Sequence, residues 1–240
     1  MSNDVSGEVP LRILCGEMEA DQEAVWLSER LYGAGCGTEV LVTRYRSPAL
    51  ILGRGQATRW DPAQLQRQTG LPVVLRASGG GAVLAGPWLV SLSIVLPISH
   101  PLAAAGLYEA YRWLGVLHEQ VMDLCGLRVV ARAPDTLPPR RANDPLGGVC
   151  FASLSPWEVT HGDRKLCGLA QVRSRHAMAL VAGTHVMPPP WDCLSEALDC
   201  PDLGRRMSER AVDMATLGST VTAVQLAALW AEHLERATVE

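Results

Sequence analysis

The sequence predicts an α+β fold, a mixed β-sheet flanked by helices, on three observations. About half of the residues are hydrophobic (48%) and 19% are charged, a balance that permits a sizeable core and excludes a disordered chain. Strand-like and helix-like segments are mixed along the chain, without the strict alternation that builds a parallel βαβ sheet. No linker, internal repeat or low-complexity tract divides the 240 residues. One domain over 1–240 is therefore expected, although about 150 residues per domain would also allow two small ones.

The elements follow in order. Glu19 to Leu31 has helical spacing, with Ala20, Ala24, Leu27 and Leu31 on one face, and the glycines between Gly33 and Gly37 end it. Glu39–Tyr45 and Ala49–Leu52 are expected strands on either side of a turn at Pro48, the second closing at Gly53. Pro62–Thr69 is an expected short helix, with Asp61 as N-cap and proline at its first position. Pro72–Leu75 runs as a strand into Arg76-Ala-Ser-Gly-Gly-Gly81, and Ala82–Leu84 and Leu89–Leu96 are further strands. Leu107–Cys125 is the longest amphipathic helix. Strands are then expected at Leu127–Ala131, Gly148–Ala152, Glu158–His161, Arg164–Arg173 and Met178–Val186. Pro134–Pro145 is a Pro- and Arg-rich loop, and the final third carries helices at Cys193–Asp199 and Val221–Arg236.

Composition narrows the function. A net charge of −4 gives no basic field for nucleic acid. No apolar run reaches about 18 residues, so no membrane span is expected. The polar segment Met1–Pro10 does not read as a secretory signal. Seven cysteines without a CxxC pair argue against a disulfide scaffold or structural zinc and favour a reducing cytoplasm. No HxxxH or HExxH spacing occurs, and no metal site is expected. The pairs Arg140-Arg141 and Arg205-Arg206 read as solvated faces.

Three features carry possible chemistry. Gly79, Gly80 and Gly81 sit between two strands, where glycine lets a ligand approach the backbone and successive N–H groups form an anion-binding concavity. Arg76, three residues before, is placed to pair with a phosphate or carboxylate, although a tight hairpin explains the glycines equally. Lys165 is the only lysine among 21 basic residues, and Phe151 is the only phenylalanine. The Gly162-Asp163 turn sets Lys165 at the start of a strand, where a solvated charge would be ordinary, but Arg164 beside it already supplies one. Cys150, after Gly147-Gly148, is a possible nucleophile with His161 or His185 as base, though free cysteine is more often a small buried hydrophobe.

Taken together, these segments resemble a known superfamily. Arg76-x-Ser-Gly-Gly-Gly-Ala-Val83, Gly162-x-Arg-Lys-Leu-x-Gly-x-Ala-Gln171 with Arg173, and Arg44-Tyr-Arg-Ser-Pro-Ala-Leu-Ile-Leu-Gly-Arg-Gly-Gln56 resemble the motifs of the lipoate–protein ligase A, octanoyltransferase and biotin ligase superfamily. The likeness runs from about residue 18 to 190, with C-terminal helices in 191–240. It implies a catalytic domain similar to class II aminoacyl-tRNA synthetases, and a lipoyl or octanoyl group carried to the lysine of a lipoyl domain. By the same resemblance Lys165 and Cys150 are the catalytic candidates. Arg76, Ser78, Gly79, Gly80, Gly81, Ala82, Val83, Gly168, Ala170 and Gln171 are the acyl- or adenylate-binding candidates. Apolar strands around Val83 and Leu92 would form a slot for the acyl chain, each buried CH₂ contributing about 0.8 kcal/mol.

Two branches compete. Ser78–Val83 is similar to the ligases, which use free lipoate, ATP and Mg²⁺ through lipoyl-AMP, and this branch is slightly favoured. Val149-Cys-Phe151 and Ser155-Pro-Trp-Glu158 are similar to the cysteine-dependent octanoyltransferases and amidotransferases, which pass through an acyl-cysteine. An acyl carrier protein or an accessory ligase chain is a possible further partner, since ligases with an accessory domain are longer. Ala85 and Ala182 stand where the family pattern carries histidine, so a non-catalytic lipoate- or carrier-binding protein is a third reading. Biotin ligation and an unrelated cysteine hydrolase are weaker ones. In the enzyme readings, Lys165→Ala is expected to abolish transfer without unfolding the protein. Pro134–Pro145 and Pro188–Pro190 are the candidate cap loops.

Overall fold

A computed structural model describes residues 11–35, 37–139 and 144–237. The polar segment 1–10, Cys36 and the Arg140-Arg141 pair lie outside these residues. In chain order the elements are β1 (Arg12–Met18), α1 (Ala20–Tyr32), β2 (Glu39–Tyr45), β3 (Ala49–Leu52) and α2 (Pro62–Thr69). Then come β4 (Val73–Leu75), β5 (Val83–Ala85), β6 (Leu89–Pro97), α3 (Pro101–Ala104) and α4 (Leu107–Leu124). The chain closes with β7 (Val130–Ala131), β8 (Val159–His161), β9 (Arg164–Arg173), β10 (Ala177–His185), α5 (Leu203–Ser208) and α6 (Ala223–Ala237).

Seven strands form one mixed sheet in the order β1-β2-β6-β10-β9-β8-β7, in which only the β1–β2 pair is parallel. Three further strands form a second sheet, β4-β3-β5, with its own hydrogen-bond ladder. The pleat of β6 shows how one sequence serves two layers. Val90, Leu92, Ile94 and Leu96 join the core under α4 and α6, with Leu114, Val121, Leu226 and Trp230. The alternate residues of β6 face α1, where Val95 packs with Leu31. Helix ends follow local chemistry: the Asp61 carboxylate accepts from Ala63 N–H, and Gly70 closes α2 at φ +69°.

Several boundaries differ from expectation. β1 was unforeseen, because its half-exposed edge register mixes Arg12, Gly16 and Glu17 among apolar residues. The strand expected at Gly148–Ala152 is a single bridge, Ala82 to Val149, followed by a 3-10 turn at Cys150–Ala152. The helix expected at Cys193–Asp199 is a 3-10 turn at Trp191–Leu194. Three prolines precede it and Asp199 at φ +47° breaks the chain after it. Leu127–Ala131 shrinks to the two residues of β7. Among the described residues, no helix is long and apolar enough to cross a membrane.

Candidate active site

The site forms where the two sheets meet. The Ser78–Gly81 turn leaves β4 and enters β5, and it is held from three sides. Arg54 N–H donates to Ser78 O (2.9 Å), and the Arg76 guanidinium donates to Gly79 O and Gly81 O (2.9 Å each). Beyond the turn, Ala82 O accepts from Cys150 N–H at 2.8 Å. A Cβ on Gly81 would lie 2.6 Å from Cys150 N, so only glycine lets the Cys150 loop approach this closely. Gln56, from the Leu-Gly-Arg-Gly-Gln run, donates to Gly148 O (2.7 Å) and fixes that loop from the other side.

Lys165 reaches the same point through a β-bulge. His161 and Thr160 pair with Arg164 and Lys165, but Val159 pairs with Cys167, leaving Leu166 as the extra residue. Bulges re-aim side chains. Here Lys165 lies beside Gly168, whose added Cβ would be 3.1 Å from Lys165 Cε and 3.4 Å from Cys150 Sγ. The backbone of Lys165 is clamped by the strand-like segment after α5, through Lys165 N–H to Arg210 O (2.8 Å) and Val212 N–H to Lys165 O (2.9 Å).

The ammonium of Lys165 is buried, with 1% of the residue exposed. It donates to Glu158 Oε1 (2.7 Å), Cys150 O (2.8 Å) and Ser153 O (3.2 Å), and lies 3.7 Å from Cys150 Sγ. Glu158 is itself fixed, accepting from Ser155 N–H (2.7 Å) on one oxygen and from Leu169 N–H (3.2 Å) on the other. Trp157, just before it, has φ +68°, a left-handed conformation costing about 1–3 kcal/mol in a non-glycine residue. Burial pulls the Lys165 ammonium downward, but Cys150 and Glu158 outweigh it, and its pKa is raised above the usual lysine value.

An apolar slot opens at Cys150. Its walls include Ala24, Leu27 and Leu31 of α1, Val83 of β5, Leu89 of β6 and Val172 of β9. Near one wall, Glu23 accepts hydrogen bonds from Ser91 Oγ (2.7 Å), Ser93 Oγ (2.9 Å) and the Tyr45 hydroxyl.

The candidate residues divide as follows. Arg76, Ser78, Val83, Cys150, Gly168 and Ala170 line the slot. Lys165 stands behind Cys150. Gly79 and Gly80 form the exposed turn, with Gly81 half-buried. Ala82 faces away, into a separate small cavity with Val149 and Trp60. The Gln171 amide lies beside Met178 and Arg173. Arg76 is not simply aimed at an anion, because its Nη2 is spent on the turn's own carbonyls.

Neither histidine is placed as a base for Cys150. His161 is exposed, with Nδ1 2.9 Å from Arg128 O. His185 is fully buried, stacks on Phe151 at 3.9 Å, and has no hydrogen-bond partner on either ring nitrogen among the described residues. Burial, then the Lys165 charge, pushes its pKa down to about 3. Sequence reasoning missed Glu158 as a site residue, and missed the brace from Arg210 to Asp144 (2.5 Å) and Ala152 O (3.3 Å). The available signal for Glu158 was its place in the Ser155-Pro-Trp-Glu158 segment, whose likeness to the cysteine-dependent transferases was read without a role for the carboxylate. The six described cysteines are free thiols, and no cluster of three potential metal ligands occurs among the described residues.

The comparisons with known proteins agree with this architecture. A family model described as the lipoyl protein ligase A/B catalytic domain matches residues 26–198. Octanoyltransferase LipM of Exiguobacterium sp. is 33% identical over 132 residues, covering 54% of this chain and 48% of that protein. LipM of Brevibacillus brevis is 29% identical over 173 residues, covering 64% and 60%. The chain thus spans about half to three fifths of the length of these curated relatives. Among solved structures, a bipartite lipoate protein ligase from Thermoplasma acidophilum, described with its E2 lipoyl domain, superposes with a TM-score of 0.65 at 17% identity. That match covers 94% of this chain and 82% of the other. Lipoate-protein ligase A bound with ATP gives 0.63 at 18% identity, covering 93% and 85%. The mixed sheet flanked by helices is the fold of these ligases.

Proposed function

The chain belongs to the lipoyl protein ligase A/B catalytic-domain family, and from that premise we propose that it transfers an octanoyl or lipoyl group to the lysine of a lipoyl domain through a thioester on Cys150. One observation carries this reading: Cys150 Sγ lines an apolar slot and lies 3.7 Å from a buried ammonium, Lys165 Nζ.

The residues divide the work as follows. The slot receives the acyl chain. The Cys150 sulfur attacks the carbonyl carbon of an acyl thioester, the new C–S bond forms as the donor's C–S bond breaks, and the proton of the Cys150 thiol ends on the departing donor sulfur. Lys165 places positive charge beside the sulfur, where negative charge appears whenever sulfur is the leaving group. The acceptor amine then attacks the acyl-cysteine, C–N forms, C–S breaks, and the amine's proton passes to the Cys150 thiolate. No histidine is needed in this scheme. An acyl carrier protein is the natural class of donor, one catalytic domain does the transfer, and free thiols suit a reducing cytoplasm.

ATP-dependent ligation is the second reading, and it draws on the Ser78–Gly81 turn, exposed at Gly79 and Gly80. The turn's guanidinium, Arg76, offers a nucleotide only part of its fork: Nη2 is engaged by Gly79 O and Gly81 O, while Nε is buried without a hydrogen-bond partner among the described residues, so a bidentate grip on phosphate would share Nη2 with those carbonyls. The test measures the intact mass of an apo lipoyl domain after incubation with this protein. One arm supplies an octanoyl thioester, the other lipoate with Mg-ATP. Transfer is expected from the thioester alone and is expected to vanish in Cys150→Ser. Transfer by Cys150→Ser with lipoate and Mg-ATP would establish the ligase and make Cys150 a packing residue.

A further inference from the structure

We propose that Glu158 is a positioning residue that stops Lys165 from taking the acyl group for itself, an inference that rests on the Cys150 transfer reading. The problem is set by distance. Lys165 Nζ stands 3.7 Å from the sulfur that would carry the acyl group, and a neutral primary amine at that range is the same nucleophile as the acceptor's lysine. Attack would form a C–N bond at Lys165, break the C–S bond, and pass the amine's proton to the Cys150 thiolate. The product is an amide on Lys165, and the enzyme is spent.

What separates the two lysines is protonation. An ammonium has three N–H donors and no lone pair. Those of Lys165 meet three oxygens, on Glu158 (2.7 Å), Cys150 (2.8 Å) and Ser153 (3.2 Å). Its burial works against the charge. In the free enzyme Cys150 and Glu158 both favour the charged form. In the acyl-enzyme the sulfur is a neutral thioester, so its share is lost. The two carbonyls carry no net charge. Cys167 is held neutral, its thiol pushed up to about 12, first by burial. The Glu158 carboxylate is the anion that remains in contact. It cannot swing away, because Ser155 N–H and Leu169 N–H hold its two oxygens and only 3% of its side chain is exposed. The left-handed Trp157 backbone leads directly into it.

The experiment reads where the acyl group ends up. Wild type, Glu158→Gln and Cys150→Ser/Glu158→Gln are incubated with the octanoyl thioester of a small thiol, without acceptor domain. Intact masses are taken before and after neutral hydroxylamine, which cleaves thioesters and spares amides. Wild type is expected to show an adduct that hydroxylamine removes. Glu158→Gln is expected to show a resistant adduct that maps to Lys165, at about tenfold or more over wild type, since each pKa unit lost gives tenfold more free amine. The double variant is expected to show none, because the acyl group must pass through Cys150. A Glu158→Gln adduct that hydroxylamine removes completely would overturn the inference while leaving the transfer reading intact. No adduct on wild type would overturn the transfer reading and the inference with it. If Glu158→Gln does not fold, Glu158→Asp withdraws the carboxylate by one methylene and is expected to give the resistant adduct too. A wholly labile adduct there would equally overturn the inference.

Discussion

Replacing Lys165 with methionine is expected to remove all acyl transfer and to weaken the fold. The sequence alone predicts only the first effect. Lys165 and Glu158 are both buried, with side chains 2% and 3% exposed and 2.7 Å between them, so Lys165→Met strands a carboxylate away from water. Breaking a buried pair from one side costs about 3–5 kcal/mol. In a domain of this size that lowers the unfolding temperature by about 2–4 °C per kcal/mol, or about 6–20 °C in all. Lys165→Met/Glu158→Gln removes both charges, keeps an oxygen for Leu169 N–H, and is expected to regain about 2 kcal/mol over the single variant. It should regain no transfer. Urea unfolding followed by far-UV circular dichroism gives the stabilities, and the mass of an octanoylated lipoyl domain gives the activity. A single variant within about 1 kcal/mol of wild type would refute the buried-pair argument. So would a double variant no more stable than the single one.

Three further outcomes are expected. Gly81→Ala puts a methyl group 2.6 Å from Cys150 N, backbone against side chain with little room to yield, and should cost about 1–3 kcal/mol together with most of the transfer rate; thermal melts and turnover measure the two. The Lys165 pKa is raised in the fold, so the pair contributes fully below the unfolded lysine value and its contribution is lost as pH rises through the raised one. Unfolding midpoints of wild type and Lys165→Met/Glu158→Gln, compared across alkaline pH, should converge only beyond the ordinary lysine range. Burial pushes His118 down to about 4 and His185 down to about 3. The unfolded chain therefore gains protons below about pH 6.5 that the fold refuses, and stability is lost as pH falls from there toward 4. His118→Leu, against Trp230, should make that acid slope shallower in melting curves.

Much of the fold was legible because its signals are local. β2, β3, α2 and β9 match their expected limits, each bounded by proline, glycine or a capping carboxylate that acts within a few residues. β1 was not legible, since an edge strand needs no clean apolar alternation. The Cys150 turn was not legible either. Its strand-like sequence finds one bridging partner at Ala82 and then bends. Within the site, the likeness of short motifs brought Cys150, Lys165, Gly168 and the Arg76–Val83 run together. The bulge at Leu166 escaped it, because register depends on the facing strand and not on β9 alone. The histidine base failed for a related reason: whether His185 titrates or packs is decided by Phe151 and Trp191 around it.

The solitary lysine has a consequence for the outside of the molecule. Lys165 is the only lysine in the chain and is 1% exposed, so the surface carries guanidinium groups as its basic side chains and offers no ε-amine. Guanidinium stays protonated and does not compete for acyl groups at neutral pH. An activated acyl donor that escapes into solution finds no lysine on this protein to decorate. Amine-directed dyes and cross-linkers will likewise pass over its side chains, and a stable acyl mark on any lysine peptide of this chain can have come from one place.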